Sequence, residues 1–329
     1  MGGMEGRVRR RERAGGAPGD PISMPLDRLL RLLVCPGCRE PVQPDSAMSH
    51  LRCGRCQEVY PVLGGVPIML TSASRSMLAG GREAAPASME AEPAWRARVV
   101  RFFRSLSPGG PGLDPNQEAR IRSLVTDLGD GAAILDLGSG GLCRGSTVIA
   151  MDIDRFPNVG LVGDGHRLPF GDGSLDGVIC TGVLEHVQNA EAMTREIWRV
   201  IRPGGLTYIS VPFIEGFHPG AGTHMDYRRL THIGLQQHLA AFEQVDFGVS
   251  GGPSAALASV LREYLALLFF DGGRGYSAAY LVAGWLTCWM PRLDRVLSRR
   301  VKAHRIAFGF YVLARKPAGM LPAPAEHAA

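Results

Sequence analysis

Between Gly138 and Val148 the chain has only nine residues, Ser139 to Thr147, and that gap limits the fold more than any other feature. It separates two strand-like runs, AAILDLG and TVIAMDI, both apolar and the second closing on an acid. Continuous apolar runs of this kind belong in a parallel sheet covered on both faces. A parallel crossover with its helix needs at least about 10–12 residues. Nine extended residues reach about 30 Å at roughly 3.3 Å each. That is enough to run back beside one short strand, but not as a helix. The turn at Gly138, Ser139 and Gly140 therefore opens onto a loop. Without a helix there is no N-terminal dipole to hold a pyrophosphate. The third glycine of a dinucleotide fingerprint is also replaced, by Cys143. A dinucleotide site thus loses its main source of binding energy.

Downstream the pattern alternates. Further strands are expected at VGLVGD, DGVICTG, GLTYISVP and AFGFYVLARK. In AEAMTREIWRVIRPGG, Met193, Ile197, Val200 and Ile201 share one helical face, and Pro203, Gly204 and Gly205 stop the helix. NQEARIRSLVTDL reads as a helix leading into the first strand, and Trp95 to Leu106 as another. This order gives an α/β, Rossmann-like doubly wound sheet.

Such sheets bind ligands at the carboxyl ends of their strands. Here Asp136, Asp152 and Asp164 follow three successive strands. S-adenosylmethionine (SAM) has no phosphate and suits this edge. Gly138 and Gly140 permit close backbone approach to its methionine part. Asp152 can accept both ribose hydroxyls, and Asp164 can accept from the adenine amino group.

These motifs resemble class I SAM-dependent methyltransferases. ILDLGSG is similar to their first motif. GDGHRLPFGDGSLDGVICTGVLEHV is similar to the block around their third and fourth strands, and EIWRVIRPGGLTYISVP to the helix, turn and strand that follow. The resemblance covers roughly 130–250 and 306–316, and the short crossover matches a bacterial subgroup. It implies a cofactor pocket that includes Ser139, Gly165 and Glu185.

Seven cysteines are present, four of them clustered as CPGC and CGRC: Cys35, Cys38, Cys53 and Cys56. Fourteen residues, Arg39 to Arg52, separate the pairs. That spacing predicts a closed four-cysteine site for structural zinc. LLRLLVCPGCREPV and YPVLGGVPIML around it resemble the small zinc-ribbon activator subunit of tRNA and protein methyltransferases, and its bacterial relatives. Of the other cysteines, Cys143 reads as a loop thiol and Cys180 as a buried strand residue.

Methyl transfer from a sulfonium is an in-line displacement in which the enzyme mostly positions the acceptor. Candidate acceptor-side residues are Glu185 and His186 after the fourth strand. PFIEGFHPGAGTHMDYRR adds His218, His224, Asp226, Tyr227 and Arg228. A bare metal site from His218, His224 and Asp226 is the lesser reading of that loop. Residues 254–300 are unusually apolar, and no charge falls between Arg274 and Arg292. They are expected to form a helical insertion beside the carboxyl edge, with Tyr276, Tyr280, Trp285 and Trp289 suited to an interface.

The expected organisation is a disordered basic tail at 1–24, a zinc ribbon at 25–72, a linker at 73–94, a methyltransferase domain at 95–316 and a tail at 317–329. The expected activity is methyl transfer to O or N of a small, sugar- or lipid-linked acceptor. The alternative is a non-catalytic SAM-fold scaffold, or a protein or tRNA methyltransferase that recruits its partner through the ribbon. Nucleic acid is not an expected partner. No secretory signal is visible, so the expected location is cytoplasmic, with peripheral membrane contact through 254–300.

Overall fold

The computed structural model describes residues 24–76, 116–218 and 225–319. The basic tail up to residue 23, the linker from 77, the helix expected at Trp95 to Leu106, His224 and the tail from 320 lie outside the described residues.

The ribbon begins with α1 (Leu26–Leu30). The apolar run LDRLLRLLV does not continue as helix: Leu33 bridges to Phe170 and Val34 to Pro41. Four short strands follow, β1 (Val42–Pro44), β2 (His50–Cys53), β3 (Val59–Leu63) and β4 (Val66–Met69). Each C-x2-C pair closes a turn, with Arg39 N–H donating to Cys35 O at 2.7 Å and Gln57 N–H to Cys53 O at 3.2 Å. The linker expected from 73 instead begins as helix, at 72–76, with Ser74 buried.

The larger unit opens on α2 (Gln117–Leu128). Strands β5 (Ile134–Leu137), β6 (Val148–Asp152), β7 (Leu161–Gly163) and β8 (Leu175–Thr181) follow, then α3 (Ala190–Val200) and β9 (Ile201–Pro212). The helix α3 buries Met193, Ile197 and Val200 and is capped by the Asn189 side chain. It passes directly into β9. Pro203, Gly204 and Gly205 therefore lie within the strand, where the β8 register shifts between Leu175 and Gly177, rather than forming a separate turn.

After α4 (His232–His238) comes β10 (Glu243–Gly251), an edge strand not expected from the sequence. The insertion supplies α5 (Pro253–Phe269), α6 (Gly273–Thr287) and the short α7 (Asp294–Leu297). The closing strand is β11 (Gly309–Arg315).

All strands join one sheet, ordered β1-β2-β3-β4-β7-β6-β5-β8-β9-β11-β10. From β4 to β9 across β7, β6, β5 and β8 every pairing is parallel, and β11 is antiparallel to both its neighbours. The ribbon is thus an edge extension of the larger sheet. Leu29, Leu33, Tyr60 and Met69 share a core with Leu135, Met151, Leu161 and Phe170. On the other face α2 packs Ile121 and Leu124 against Ile134, Val148 and Tyr208.

Candidate functional site

The short crossover is a loop, as its length requires. Gly138 and Ser139 both donate N–H to Met151 O, at 2.9 and 3.0 Å, so the chain folds over the end of β6. Gly138 and Gly140 have positive φ, +73° and +57°. At Gly138 the absence of a side chain is also a packing requirement. A Cβ there would sit 2.3 Å from Val183 Cγ2, in the segment that follows β8.

The three strand-end acids are buried but held differently. Asp136 is 1% exposed and accepts from Arg144 Nε at 2.8 Å, while Arg144 Nη1 holds both oxygens of Glu118. Burial outweighs Arg144 and keeps the Asp136 carboxyl above its ordinary range. Asp152 accepts Gly140 N–H on Oδ2 at 2.9 Å and Asp154 N–H on Oδ1 at 3.2 Å. Each oxygen keeps a second lone pair for a hydroxyl. Asp164 is more fully occupied. Its Oδ1 takes His166 N–H and Nδ1, and its Oδ2 takes Ser74 Oγ–H at 2.8 Å. Although burial acts to raise it, these hydrogen bonds together keep the Asp164 carboxyl below its ordinary range. Gly165, next along, is packed under Met193.

Past β8 a single 3-10 turn, Leu184–His186, carries Glu185 and His186. Glu185 is 2% exposed, and its Oε2 has no hydrogen-bond partner. Burial pushes its carboxyl up to about 8. His186 Nδ1 bonds Met225 O at 3.0 Å, so Nδ1 carries the hydrogen. Tyr227 N–H donates to Glu185 O at 2.8 Å, which ties the later loop to this turn. Tyr227 is exposed, and its hydroxyl accepts from Gln188 at 3.2 Å.

Asp226 sits apart in role. It is paired bidentately with Arg229 and caps His218 N–H at 3.0 Å. Its carboxylate is engaged by the loop, and His224, the third residue of the metal set with His218 and Asp226, lies outside the described residues. Arg228 reaches back to the Val187 and Gln188 carbonyls. Cys180 is fully buried, and burial pushes its thiol up; Cys143 is exposed.

A cofactor of SAM's kind fits this edge on one further observation. Ser139 Oγ, at the head of the glycine loop, is buried without a hydrogen-bond partner. Buried polar groups are rarely left so unless a ligand completes them.

The four ribbon cysteines converge. Cys35 and Cys56 sulfurs are 3.5 Å apart, and those of Cys38 and Cys53 3.4 Å. A disulfide needs about 2.05 Å. Zinc–sulfur bonds of about 2.3 Å give a tetrahedral edge of about 3.8 Å. Backbone N–H groups already point at the sulfurs, from Glu40 to Cys38 and from Arg55 and Cys56 to Cys53. Tyr60 OH, fully buried, lies 3.1 Å from Cys35 Sγ. Burial pushes that phenol up, so it keeps its proton and donates it to the thiolate. The donor set is that of a structural zinc.

Sequence reasoning missed Arg144, Arg229 and Ser74. Nothing in their local pattern marks them, because each acts on a residue brought close only by the fold.

A family model described as a methyltransferase domain matches residues 129–209. The N-terminal unit is 48% identical over 50 residues to a UPF0434 protein of Brucella ovis, a match that spans 15% of this chain and 78% of that protein. A UPF0434 protein of Brucella canis matches to the same extent. Among solved structures, the Burkholderia thailandensis 1,6-didemethyltoxoflavin-N1-methyltransferase is similar at 18% identity, over 80% of this chain and 97% of that one, with a TM-score of 0.38. Haemonchus contortus phosphoethanolamine N-methyltransferase 2 is similar at 14% identity, over 67% of this chain and 57% of that one, with a TM-score of 0.38.

Proposed function

From a chain that belongs to the UPF0434 family through its ribbon and is a SAM-dependent methyltransferase through its sheet, we propose transfer of a methyl group to O or N of a small, sugar- or lipid-linked acceptor met at a membrane surface. SAM supplies a methyl group already activated on a sulfonium. The residues of this chain have to bind it, exclude water and orient the acceptor. In this reading Gly138, Ser139, Gly140, Asp136 and Asp152 hold the cofactor. Asp164, Gly165 and Glu185 complete the pocket wall. His186 and Tyr227 line the acceptor side, and Asp226 positions their loop through Arg229. His224, named with them from the sequence, lies outside the described residues.

The observation that carries the acceptor class is the insertion. Among the described residues no helix is long and apolar enough to cross a membrane. Yet Leu257, Val260, Tyr264, Leu267 and Leu268 form an exposed stripe along α5, and Trp285, Leu286 and Trp289 an exposed patch on and just past α6. A monomer rarely leaves such a face bare. Arg292, Arg295, Arg299, Arg300 and Lys302 follow directly, which suits an anionic surface. The insertion also touches the acceptor loop. Glu263 packs beside Gly216, just beyond β9, and accepts from Tyr276 OH. An apolar acceptor held at a membrane would therefore meet the carboxyl edge.

Flotation with anionic vesicles tests this. The native chain is expected to float. Leu267→Ser combined with Trp285→Ser is expected to abolish flotation and leave SAM affinity, read by calorimetry, unchanged. A native chain that never floats, or a double variant that floats equally well, would sink the membrane reading. A protein or tRNA acceptor would appear instead as methylation of macromolecules with no vesicle dependence.

For the cofactor, Asp152→Ala is expected to raise the SAM dissociation constant by about tenfold or more. Each charge-assisted hydrogen bond lost contributes on the order of 1.5–3 kcal/mol. Unchanged affinity would remove Asp152 from the ribose. NADH binding tighter than SAM would overturn the cofactor assignment itself.

A further inference from the structure

One cluster at the carboxyl edge is not accounted for by binding SAM. Glu185, His186 and His218 each bring one ligand atom within 4.8 Å of the other two. His186 Nε2 faces Glu185 Oε1 at 4.0 Å. The two imidazoles meet edge to face, their centroids 5.2 Å apart. Both rings are oriented: His186 Nδ1 bonds Met225 O at 3.0 Å, and His218 Nδ1 lies 3.1 Å from Gly216 O and 3.2 Å from Arg229 Nη2. Metal-ligating histidines are held in this way, one ring nitrogen on a carbonyl and the other toward the ion. The third member is a carboxylate buried to 2% exposure with Oε2 unpartnered. An unpaired oxygen in such a place calls for a partner.

The surrounding charge points the same way. Glu185, Glu215 and Asp226 bring three carboxylates to this corner, with Glu215 Oε2 3.7 Å and Asp226 Oδ2 3.6 Å from His218 Nδ1. Arg229 is the guanidinium among them, and it is engaged by both oxygens of Asp226 and by Gly216 O. Three carboxyl groups thus share one guanidinium, and a dication here would favour their ionised forms.

We infer that Glu185, His186 and His218 form a divalent-metal site on the acceptor side of the carboxyl edge. Two imidazoles and a carboxylate suit Mn2+, Fe2+ or Zn2+, and three protein ligands leave positions open for a further ligand. With bonds of about 2.1 Å the ligand atoms would lie about 3.0–3.4 Å apart. The ligands therefore draw together on binding. His218 lies on a loop beyond β9 and is only partly buried. An ion here would bind the acceptor oxygen or nitrogen and orient it, with no change in the ribbon zinc.

Manganese separates the two metal centres, because a site of four cysteine thiolates takes zinc and refuses the harder Mn2+. The full-length, zinc-loaded chain is titrated with Mn2+ and followed by electron paramagnetic resonance. One bound Mn2+ per chain is expected, weakened about tenfold or more by Glu185→Gln and by His218→Ala, each with zinc content and circular dichroism unchanged. The inference is overturned if the chain binds no Mn2+, Co2+ or Zn2+ beyond the ribbon zinc. It is equally overturned if both variants bind Mn2+ as tightly as the native chain. SAM calorimetry on the same preparation keeps the outcomes apart. A native chain that binds SAM but none of these metals at this edge would reject the metal and leave the methyltransferase reading standing.

Discussion

Cys53→Ser is expected to release zinc, unfold the ribbon and take SAM binding with it. The magnitude follows from what the metal supplies. Structural zinc contributes about 10–16 kcal/mol of apparent binding free energy to a small ribbon. A whole domain is stable by only about 5–15 kcal/mol. The damage would not stop at the ribbon. Cys53 is fully buried, and the ribbon core is continuous with that of the larger sheet through Leu33, Tyr60, Met69, Leu161 and Phe170. Once β4 is lost, β7 becomes a bare edge, open to pairing with other chains. Asp164 also loses Ser74, whose position depends on the chain leaving β4. Metal analysis, thermal unfolding and SAM calorimetry on one preparation check this. Retention of a full equivalent of zinc, or an unchanged unfolding midpoint, would refute it.

Arg144→Ala is expected to cost about 3–5 kcal/mol of stability near pH 8, the usual result of stripping one partner from a buried ion pair. Asp136 is 1% exposed and the Arg144 side chain 7%, so solvent offers little relief. The sign of the pH dependence follows from Asp136. Burial already holds its carboxyl above the ordinary range, and removing Arg144 deletes the main opposing influence. The folded variant then retains a proton that the unfolded chain has released. Stability therefore falls as pH rises from the ordinary carboxyl range through the raised value. The deficit of the variant is expected to be smaller at pH 5 than at pH 8, since acidification favours the neutral form of Asp136. Denaturant midpoints at the two pH values measure this. Equal deficits at both, or a loss below about 1 kcal/mol at pH 8, would show that Asp136 does not depend on Arg144.

Local pattern carried much of the fold. The apolar runs became β5, β6, β8 and β9 because burial on both faces leaves few polar residues to interrupt them. The nine-residue gap predicted a loop from chain length alone. By contrast, β10 escaped notice because EQVDFGVSG is half polar, as an edge strand exposed along its first residues has to be. The helix that opens LDRLLRLLV ends at Leu30 because Leu33 pairs with Phe170, a partner more than a hundred residues away. At the site, residue types were legible and their pairings were not. Asp226 looked like chemistry from the sequence and is engaged by Arg229. Tyr60 looked like part of a motif, and its hydroxyl bonds a cysteine sulfur. Such pairings are set by tertiary packing, which periodicity does not encode.

The parallel pairing of β4 with β7 has a consequence for assembly. Ile68 and Met69 meet Val162 and Gly163, so the contact closes a chain segment of roughly ninety residues. During synthesis the ribbon emerges first and has to wait for its docking edge, and contacts of such long range form slowly. Zinc bound by the four cysteines would supply folding free energy to the ribbon in the meantime. A separate ribbon subunit would find its enzyme by mass action, occupied in proportion to its supply. Covalent linkage replaces that bimolecular equilibrium with a high effective concentration. The amount of competent enzyme in a cell would then follow zinc availability during synthesis, rather than the abundance of any second polypeptide.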